Sequence, residues 1–249
     1  MKQILCIAAA IVVCLITVHA SDRASAPDWP QFMGPDRNGV VEGTKLLSVW
    51  PTNGPKQVWT TNCGCGYAGP VVANGILVFM ERARDKSPPQ GWAKEETTRA
   101  LDAMSGREIW KSESVLVVPT RGSYGCGPGS TPAIGGDKVV CVGIEGSMRC
   151  HEVKTGKVIW EKDLPKEFLH SKPTAQSAYF CSPLIVGDVV VMMVHIPPIP
   201  YGPSHRMVAW RLTDGQEVWS SPDFDNYGDM SPGFMMAGDI PTVICATRE

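Results

Sequence analysis

A motif that ends in tryptophan occurs three times in this chain of 249 residues. The copies span residues 100–110, 150–160 and 209–219, so their tryptophans lie 50 and 59 residues apart. A degenerate copy, Gln57-Val58-Trp59, lies 51 residues before the first of them. Self-similarity at a fixed period marks a repeat architecture in which each repeat is one supersecondary unit. The chain is therefore expected to fold as a row of similar small units.

A second landmark precedes each copy and recurs once more after the last one. A proline is followed by apolar residues and then by a glycine next to asparagine or aspartate; the landmark begins at Gly69-Pro70, Thr131-Pro132, Ser182-Pro183 and Ser231-Pro232. Proline at the first position of a strand interrupts no ladder hydrogen bond, and glycine admits the positive φ of a tight turn. The landmark therefore predicts the start of a strand and the hairpin turn that follows it.

The second repeat shows how one unit becomes four strands. It predicts strands at Pro132–Ile134, Lys138–Gly143, Ser147–Val153 and Val158–Trp160, joined by turns that contain glycine. Four-stranded units of about 50 residues have the size of propeller blades, and the motif tryptophan is expected to pack between neighbouring blades. The predicted fold class is all-β, a β-propeller of four-stranded antiparallel blades.

The repeats also divide the chain into segments. Complete blades are predicted at about residues 67–112, 130–162 and 181–221, and the start of another at 230–247. Residues 21–66 form an N-terminal lead-in, and 67–249 a partial propeller. A closed ring takes about 4–8 blades, so three full blades predict an incomplete propeller, as expected for a fragment or a truncated reading frame of a longer protein.

The first twenty residues predict a signal peptide. Lys2 is basic, residues 4–18 are apolar with one exception, and Ala20 ends a cleavage-site pattern of small residues. This apolar run is too short to span a bilayer. A lipidated N-terminus at Cys14 is the alternative, although Val13 is not the small residue expected before a lipidated cysteine. The mature chain is predicted to be periplasmic or extracellular and not an integral membrane protein.

The repeats resemble the quinoprotein repeat, also called PQQ-like after pyrroloquinoline quinone, whose signature is Ala-x-Asp-x-x-Thr-Gly-x-x-x-Trp. The first copy has serine for threonine, the second lacks the alanine and the aspartate, and the third lacks the aspartate and the threonine. Residues 28–39 are similar to the lead-in of secreted bacterial proteins with this repeat. The residues that carry the repeat signature are Ala100, Asp102, Gly106, Trp110, Thr155, Gly156, Trp160, Ala209, Gly215 and Trp219.

The resemblance implies a fold and leaves the activity open. The family includes quinone-dependent alcohol and glucose dehydrogenases, and also a cofactor-free propeller lipoprotein that assists outer-membrane protein assembly. The dehydrogenases need a calcium ion that bridges the quinone and an aspartate base, and they often carry two adjacent cysteines, a pair that this sequence lacks. Because function lives in sites rather than in folds, family membership does not choose between these roles.

We therefore predict an exported binding or scaffold module, with no residue assigned as catalytic, cofactor-binding or metal-binding. Its partner, a protein or a small molecule, is undefined, and enzymatic activity stays open. The alternative is a fragment of a PQQ-dependent alcohol or sugar dehydrogenase, and only that alternative implies PQQ and calcium. The net charge of −2 gives no electrostatic basis for a nucleic-acid partner. The sequence contains neither a Gly-x-Ser-x-Gly elbow nor a Cys-x-x-Cys-His haem site.

Two segments resemble metal sites only in part. Cys63-Gly64-Cys65 offers two thiols, whereas a structural zinc site takes about four ligands. Residues 223–229 carry oxygen side chains where a calcium loop has them, but Phe234 lies where a bidentate glutamate is required. We interpret the first segment as an ordinary loop and the second as a turn between blades.

Three further segments depart from the regular repeat. His195 and His205 flank a proline-rich insertion, and two histidines ten positions apart are weak grounds for a metal site. Residues 82–98 form a charged insertion that we predict to be a solvated hairpin extension. Residues 121–129 are rich in glycine but follow no strand–turn–helix pattern, so we predict a connection between blades and not a phosphate loop.

The open row of blades predicts how the protein behaves in solution. Residues 21–249, expressed alone, are expected to self-associate or to unfold readily, because the end blades leave unpaired strands and apolar faces. Thermal melting over a range of protein concentrations tests this expectation. A cooperative transition of a monomer at low concentration would contradict it.

Overall fold

The computed structural model describes residues 27–43, 47–84, 92–113, 115–116, 127–169, 179–196, 204–225 and 230–246. The predicted signal peptide, residues 1–20, lies outside the described residues. Fifteen strands in four antiparallel sheets make up almost all of the regular structure. Among the residues described, no helix has the length and apolar character needed to cross a membrane.

Three of the sheets are blades built from four consecutive strands. The first blade contains β1 (Val71–Ala73), β2 (Ile76–Arg84), β3 (Trp92–Asp102) and β4 (Glu108–Lys111), and β5 (Val115–Leu116) pairs with β3. The second contains β6 (Ala133–Gly135), β7 (Lys138–Val142), β8 (Ser147–Glu152) and β9 (Val158–Asp163), followed by a π-helical turn at Pro165–Leu169. The third contains β10 (Leu184–Val186), β11 (Val189–His195), β12 (His205–Arg211) and β13 (Glu217–Ser220).

The fourth sheet is a hairpin of β14 (Gly233–Ala237) and β15 (Ile240–Ile244). The inner strands β1, β6 and β10 lie next to one another in that order, so the blades are arranged side by side around one axis. The prediction of an incomplete β-propeller is therefore confirmed. The four strands predicted for the second repeat are also present, as β6 to β9.

The same junction joins each motif tryptophan to the following repeat. The indole N–H donates to the backbone carbonyl three residues before the motif glycine; the pairs are Trp59 with Ala103 (3.0 Å), Trp110 with Val153 (2.8 Å) and Trp160 with Leu212 (2.9 Å). The ring also covers the glycine itself. A β-carbon on Gly106, Gly156 or Gly215 would lie 2.6–2.9 Å from ring atoms. These glycines also have φ between +71° and +74°, so both the close approach and the backbone conformation require glycine.

The third motif closes its turn with different side chains. In the first copy, the Asp102 carboxylate accepts hydrogen bonds from the backbone N–H and the hydroxyl of Ser105, both at 2.7 Å. In the third copy Arg211 replaces this aspartate, and it forms an ion pair of 2.7 Å with Asp214. Asp214 then accepts the backbone N–H of Gln216 at 2.9 Å. The substitution therefore preserves a carboxylate-capped turn although it departs from the signature.

Hydroxyl groups of the second landmark link the inner strands. The backbone N–H of Gly69 donates to the Thr131 hydroxyl at 3.1 Å. Thr131 in turn donates its N–H to the Ser182 hydroxyl at 3.0 Å, and Ser182 donates to the Ser231 hydroxyl at 2.9 Å. Each residue occupies the position before the landmark proline. This position therefore supplies a hydrogen bond from every described blade to the next.

The lead-in crosses the inner strands of all three blades. Trp29 pairs with Val72 of β1 through two backbone hydrogen bonds of 2.8 and 2.9 Å. The next two residues reach the next two blades. Ile134 N–H donates to the Pro30 carbonyl at 2.7 Å, and Ile185 N–H donates to the Gln31 side-chain carbonyl at 3.2 Å. Three consecutive lead-in residues thus satisfy equivalent N–H groups in three successive blades.

The β14–β15 hairpin leaves apolar side chains exposed. Phe234 and Val243 pack against the core of the third blade, but the outward-facing residues have no cover in the described part of the chain. Trp219, the third motif tryptophan, is 38% exposed, in contrast to the buried Trp110 and Trp160. The large apolar residues exposed on the hairpin are Met235, Met236, Ile240 and Ile244.

The tryptophan junction gives a matched pair of substitutions. Gly136→Ala places a β-carbon at φ +60° with no atom within 4 Å, so it is expected to cost only the left-handed backbone penalty of about 1–2 kcal/mol. Gly156→Ala has the same penalty at φ +74° and also drives its β-carbon to 2.6 Å from the Trp110 ring. It is expected to cost about 1–3 kcal/mol more, measured by urea unfolding. Equal losses for the two variants would show that the junction does not constrain the blades.

Candidate functional site

A groove of about 240 Å³ lies along the first blade. We call it the first-blade groove; one wall is the chain segment before β1, and the floor is formed by β2 with one residue of β3. Most of its side chains are apolar. The lining residues are Trp59, Thr61, Cys63, Gly64, Cys65, Gly66, Ala68, Pro70, Leu77, Phe79, Met80, Glu81 and Leu101.

The apolar part of the groove is held in a fixed shape. The Trp59 indole is anchored by its hydrogen bond to the Ala103 carbonyl and by its contact with Gly106. Leu101 is fully buried beneath the groove, whereas Leu77 and Phe79 are half-buried and face it. A preformed apolar concavity of this kind can accept an apolar group without reorganising.

One buried carboxylate lies at the polar edge of the groove. Glu81 accepts the backbone N–H of Gly64 at 2.7 Å, and Arg99 lies 3.5 Å from the same oxygen. The Arg99 guanidinium also bonds Glu108 at 2.7 Å and stacks 5.3 Å above the Phe79 ring. Because these groups are already paired, they orient the floor of the groove rather than offering a reactive group.

The Cys63-Gly64-Cys65 segment forms part of the groove wall. Cys65 exchanges two backbone hydrogen bonds of 2.9 Å with Arg82 and thereby extends the edge of β2. Cys63 is exposed and carries a free thiol. In the ranges that the structure describes, no three His, Cys, Asp or Glu side chains converge where a metal ion could bind.

A second and much smaller cavity lies between the first and second blades. Its volume is about 20 Å³, which is room for one water molecule. We call it the inter-blade cavity. Its lining is unusually polar for a buried position and consists of Met80, Glu96, Thr98, Ser112, Cys141, Gly143, Ser147, Arg149 and His151.

Glu96 connects the two blades at this cavity. It is 1% exposed on β3, lies opposite Arg82 in the ladder, and accepts the backbone N–H of Ile144 in the second blade at 2.9 Å. That bond uses Oε2, while Oε1 has no hydrogen-bond partner. Burial raises the pKa of Glu96 to about 7, although the Ile144 N–H and the charge of Arg82 act in the opposite direction.

His151 faces the cavity from β8. It is 1% exposed, stacks on the Trp110 ring at 5.5 Å, and places Nδ1 3.0 Å from the Gly156 carbonyl. Because a carbonyl only accepts, Nδ1 carries the proton and Nε2 of the neutral ring is an acceptor. Nε2 has no hydrogen-bond partner. Burial lowers the pKa of His151, so the ring is neutral near pH 7.

The two histidines that flank the proline-rich insertion meet in the structure. His195 and His205 are cross-strand partners in β11 and β12, and their ring centroids lie 4.7 Å apart. Tyr179 packs edge-on to His195 at 4.9 Å, and the Ser204 hydroxyl lies 2.8 Å from Nδ1 of His205. The pair is thus part of the third-blade packing, and the insertion between them, residues 197–203, lies outside the described residues.

The segment compared with a calcium loop uses its acidic groups elsewhere. The Asp223 carboxylate bonds the Arg206 guanidinium at 2.6 Å, and Asp225 accepts the Ser204 hydroxyl at 3.3 Å. Residues 226–229 lie outside the described residues. The described part of this segment therefore presents no open set of calcium ligands.

The prediction of a solvated hairpin at residues 82–98 was wrong at its ends. Arg82, Glu96, Thr97 and Thr98 are buried, because β2 and β3 extend through them; Glu96 and Thr98 line the inter-blade cavity. Residues 85–91 lie outside the described part of the chain, as do residues 121–126 of the glycine-rich connection. The burial of Glu96 could not be predicted from the sequence, since glutamate is rarely buried unless it is paired.

Comparison with known proteins supports the fold. A family model described as outer membrane protein assembly factor BamB matches residues 93–223, just over half of the chain. The quinohemoprotein alcohol dehydrogenase of Comamonas testosteroni is similar in structure, with a TM-score of 0.54 and 19% identity over 80% of this chain. At this identity the similarity shows the fold alone. No curated protein sequence matches the chain.

Two further solved structures have lower TM-scores. A europium-containing methanol dehydrogenase has a TM-score of 0.45 and 17% identity over 69% of this chain. BamB from Moraxella catarrhalis has a TM-score of 0.40 and 17% identity over 75% of this chain and 48% of its own. The chain spans 27% of the length of each of the two dehydrogenases.

Cysteine accessibility tests the placement of the groove wall. In the native protein at pH 7, a maleimide is expected to label exposed Cys63 and to spare Cys141 and Cys150. Burial removes the last two from solvent and raises the pKa of each thiol to about 12. Peptide mapping by mass spectrometry, before and after unfolding in urea, measures the difference. Rapid labelling of Cys141 in the folded protein would contradict the described core.

Proposed function

This chain belongs to the family of PQQ-like repeat proteins whose model is described as outer membrane protein assembly factor BamB, and from that premise we propose that it is an exported binding and scaffold module. Its first-blade groove holds apolar side chains from an extended segment of a partner protein. The observation that carries the proposal is the groove itself, a preformed apolar concavity beside an exposed chain segment.

The size of the groove favours side chains over a cofactor. Pockets that enclose small molecules are about 300–1,000 Å³, and this groove is about 240 Å³. One aromatic or two aliphatic side chains are of the right size to fill it, and a few such anchors supply most of the energy of a protein interface. The half-buried Phe79 and Leu77 give such an anchor a contact surface.

Export is the second part of the proposal. It is supported by the signal-peptide pattern of residues 1–20 and by the family description, which refers to assembly at the outer membrane. Outer-membrane proteins cross the bilayer with strands in which apolar and polar residues alternate. The proposed partner is therefore a protein segment with alternating apolar residues, as found in β-strands before they pair.

The described residues do not fit a calcium-held quinone. No set of three metal-ligating side chains converges in the described ranges, and Asp223 is bonded to Arg206. A quinone-dependent oxidation therefore has no supporting observation here. Binding of PQQ and calcium is nevertheless measured as the alternative outcome of the experiment.

The test uses the exposed thiol beside the groove as a reporter. The mature chain is labelled at Cys63 with bimane and titrated with a ten-residue peptide in which valine alternates with serine. Saturable binding is expected, with an affinity at least tenfold weaker in Phe79→Ala, which removes the floor of the groove. Ile159→Ala, which truncates a partly exposed apolar residue on the second blade, serves as the matched control and is expected to bind as the wild type does.

Two outcomes would overturn the proposal. One is peptide binding with the same affinity in the wild type and in Phe79→Ala, since the peptide would then bind elsewhere. The other is saturable binding of PQQ and calcium with dye-linked oxidation of an alcohol, which would establish the oxidoreductase alternative instead.

A further inference from the structure

The inter-blade cavity holds two buried polar atoms that no protein group satisfies. Glu96 Oε1 comes from the first blade and His151 Nε2 from the second, and both residues are 1% exposed. Buried polar atoms in folded proteins are nearly always hydrogen-bonded. Two unsatisfied atoms from residues that line the same cavity therefore indicate a common hydrogen-bond partner. The cavity volume of about 20 Å³ matches a single water molecule.

We propose that this cavity is a proton-binding site, in which Glu96 and His151 are joined through one water molecule and hold the first two blades together while Glu96 is protonated. The Glu96 carboxyl donates its proton to the water, and the water donates to Nε2 of neutral His151. The second water hydrogen has the hydroxyl groups of Thr98, Ser112 or Ser147 as acceptors in the same lining. Glu96 Oε1 and His151 Nε2 then both have a partner, and the Glu96 carboxyl is buried without a charge.

Ionisation of Glu96 changes this balance. The ionised carboxylate still accepts hydrogen bonds from the Ile144 N–H and from the water, but its charge is removed from bulk solvent. The charged and titratable groups that face it are Arg82 on β2, Glu145 after β7, and Arg149 and His151 on β8, with the Cys141 thiol on β7. Arg149 is already paired with Glu161 at 3.3 Å, and Glu145 opposes the ionised form. Arg82 favours the ionised form, but burial outweighs its charge, so the carboxylate is compensated only in part.

The direction of the pH effect follows from the two groups separately. The folded pKa of Glu96 is about 7, above its unfolded value of 4.5, so its stabilising contribution is complete below pH 4.5 and is lost as the pH rises through 7. The pKa of His151 is lowered below 6.5, so its contribution is present above pH 6.5 and is lost as the pH falls. Between pH 6.5 and 7.5 the two contributions have opposite signs, so the Glu96 contribution is obtained as the difference between the wild type and a variant that lacks this carboxyl.

The experiment compares urea unfolding of the full chain at pH 6.5 and 7.5. Relative to that of Glu96→Gln, the unfolding equilibrium constant of the wild type is expected to rise about threefold across this interval, as a shift in pKa from 4.5 to about 7 requires. Glu96→Gln is the reference because it keeps an acceptor for the Ile144 N–H and a donor for the water, so it mimics the protonated acid but does not titrate. Glu167→Gln, which alters an exposed carboxylate paired with Lys162, is the matched control and should retain the pH dependence of the wild type.

A second measurement keeps the proposal testable if Glu96→Gln does not fold. The ¹³C-labelled side-chain carboxyl of Glu96 in the wild-type protein is expected to titrate near pH 7 in NMR spectra. Titration near 4.5, or the same pH dependence of unfolding in the wild type and in Glu96→Gln, would overturn the proposal. A high-resolution crystal structure below pH 6.5 is expected to show water between Glu96 Oε1 and His151 Nε2, and a direct bond between these atoms would also overturn it.

Discussion

The contact between a tryptophan and the glycine of the next repeat is the interaction on which the arrangement of blades depends. It joins two requirements, a hydrogen bond from the indole to a turn carbonyl and a ring that lies flat on a residue without a side chain. Neither could be met if neighbouring sheets shifted by a residue, since the carbonyl and the glycine lie on the same turn. The junction therefore sets the register between blades as well as their distance.

The lead-in adds a second ordering device at the inner strands. An inner strand of a propeller has one edge without a strand neighbour, and its N–H groups need other partners. Trp29, Pro30 and Gln31 provide these partners to three blades in turn, and Arg37 adds a side-chain bond of 2.8 Å to the Pro183 carbonyl. The tryptophan junctions thus join the blades at their outer strands, and the lead-in joins the same blades at their inner strands.

The regular parts of this architecture could be predicted because their causes are local. β-branched runs, turn glycines and the motif tryptophan each act within one repeat, and the predicted strands of the second blade formed as β6 to β9. The inter-blade cavity could not be predicted in this way. Glu96 and His151 are 55 residues apart and meet only because neighbouring blades pack β3 against the region of β7 and β8. The charges of the segment Arg82–Thr98 favour the prediction of a solvated hairpin. In the structure, the pairing of β2 with β3 instead places Arg82 opposite Glu96.

The first blade has the longest central strands of the three described blades. Its central strands β2 and β3 have 9 and 11 residues, whereas β7 and β8 of the second blade have 5 and 6. The extra length carries Glu81, Arg82 and Glu96, and Met80 lines both the first-blade groove and the inter-blade cavity. Since a uniform repeat needs none of these residues for closure or register, the lengthened strands are best explained by the two sites they build. Both proposed sites are therefore built on the lengthened central strands of the first blade.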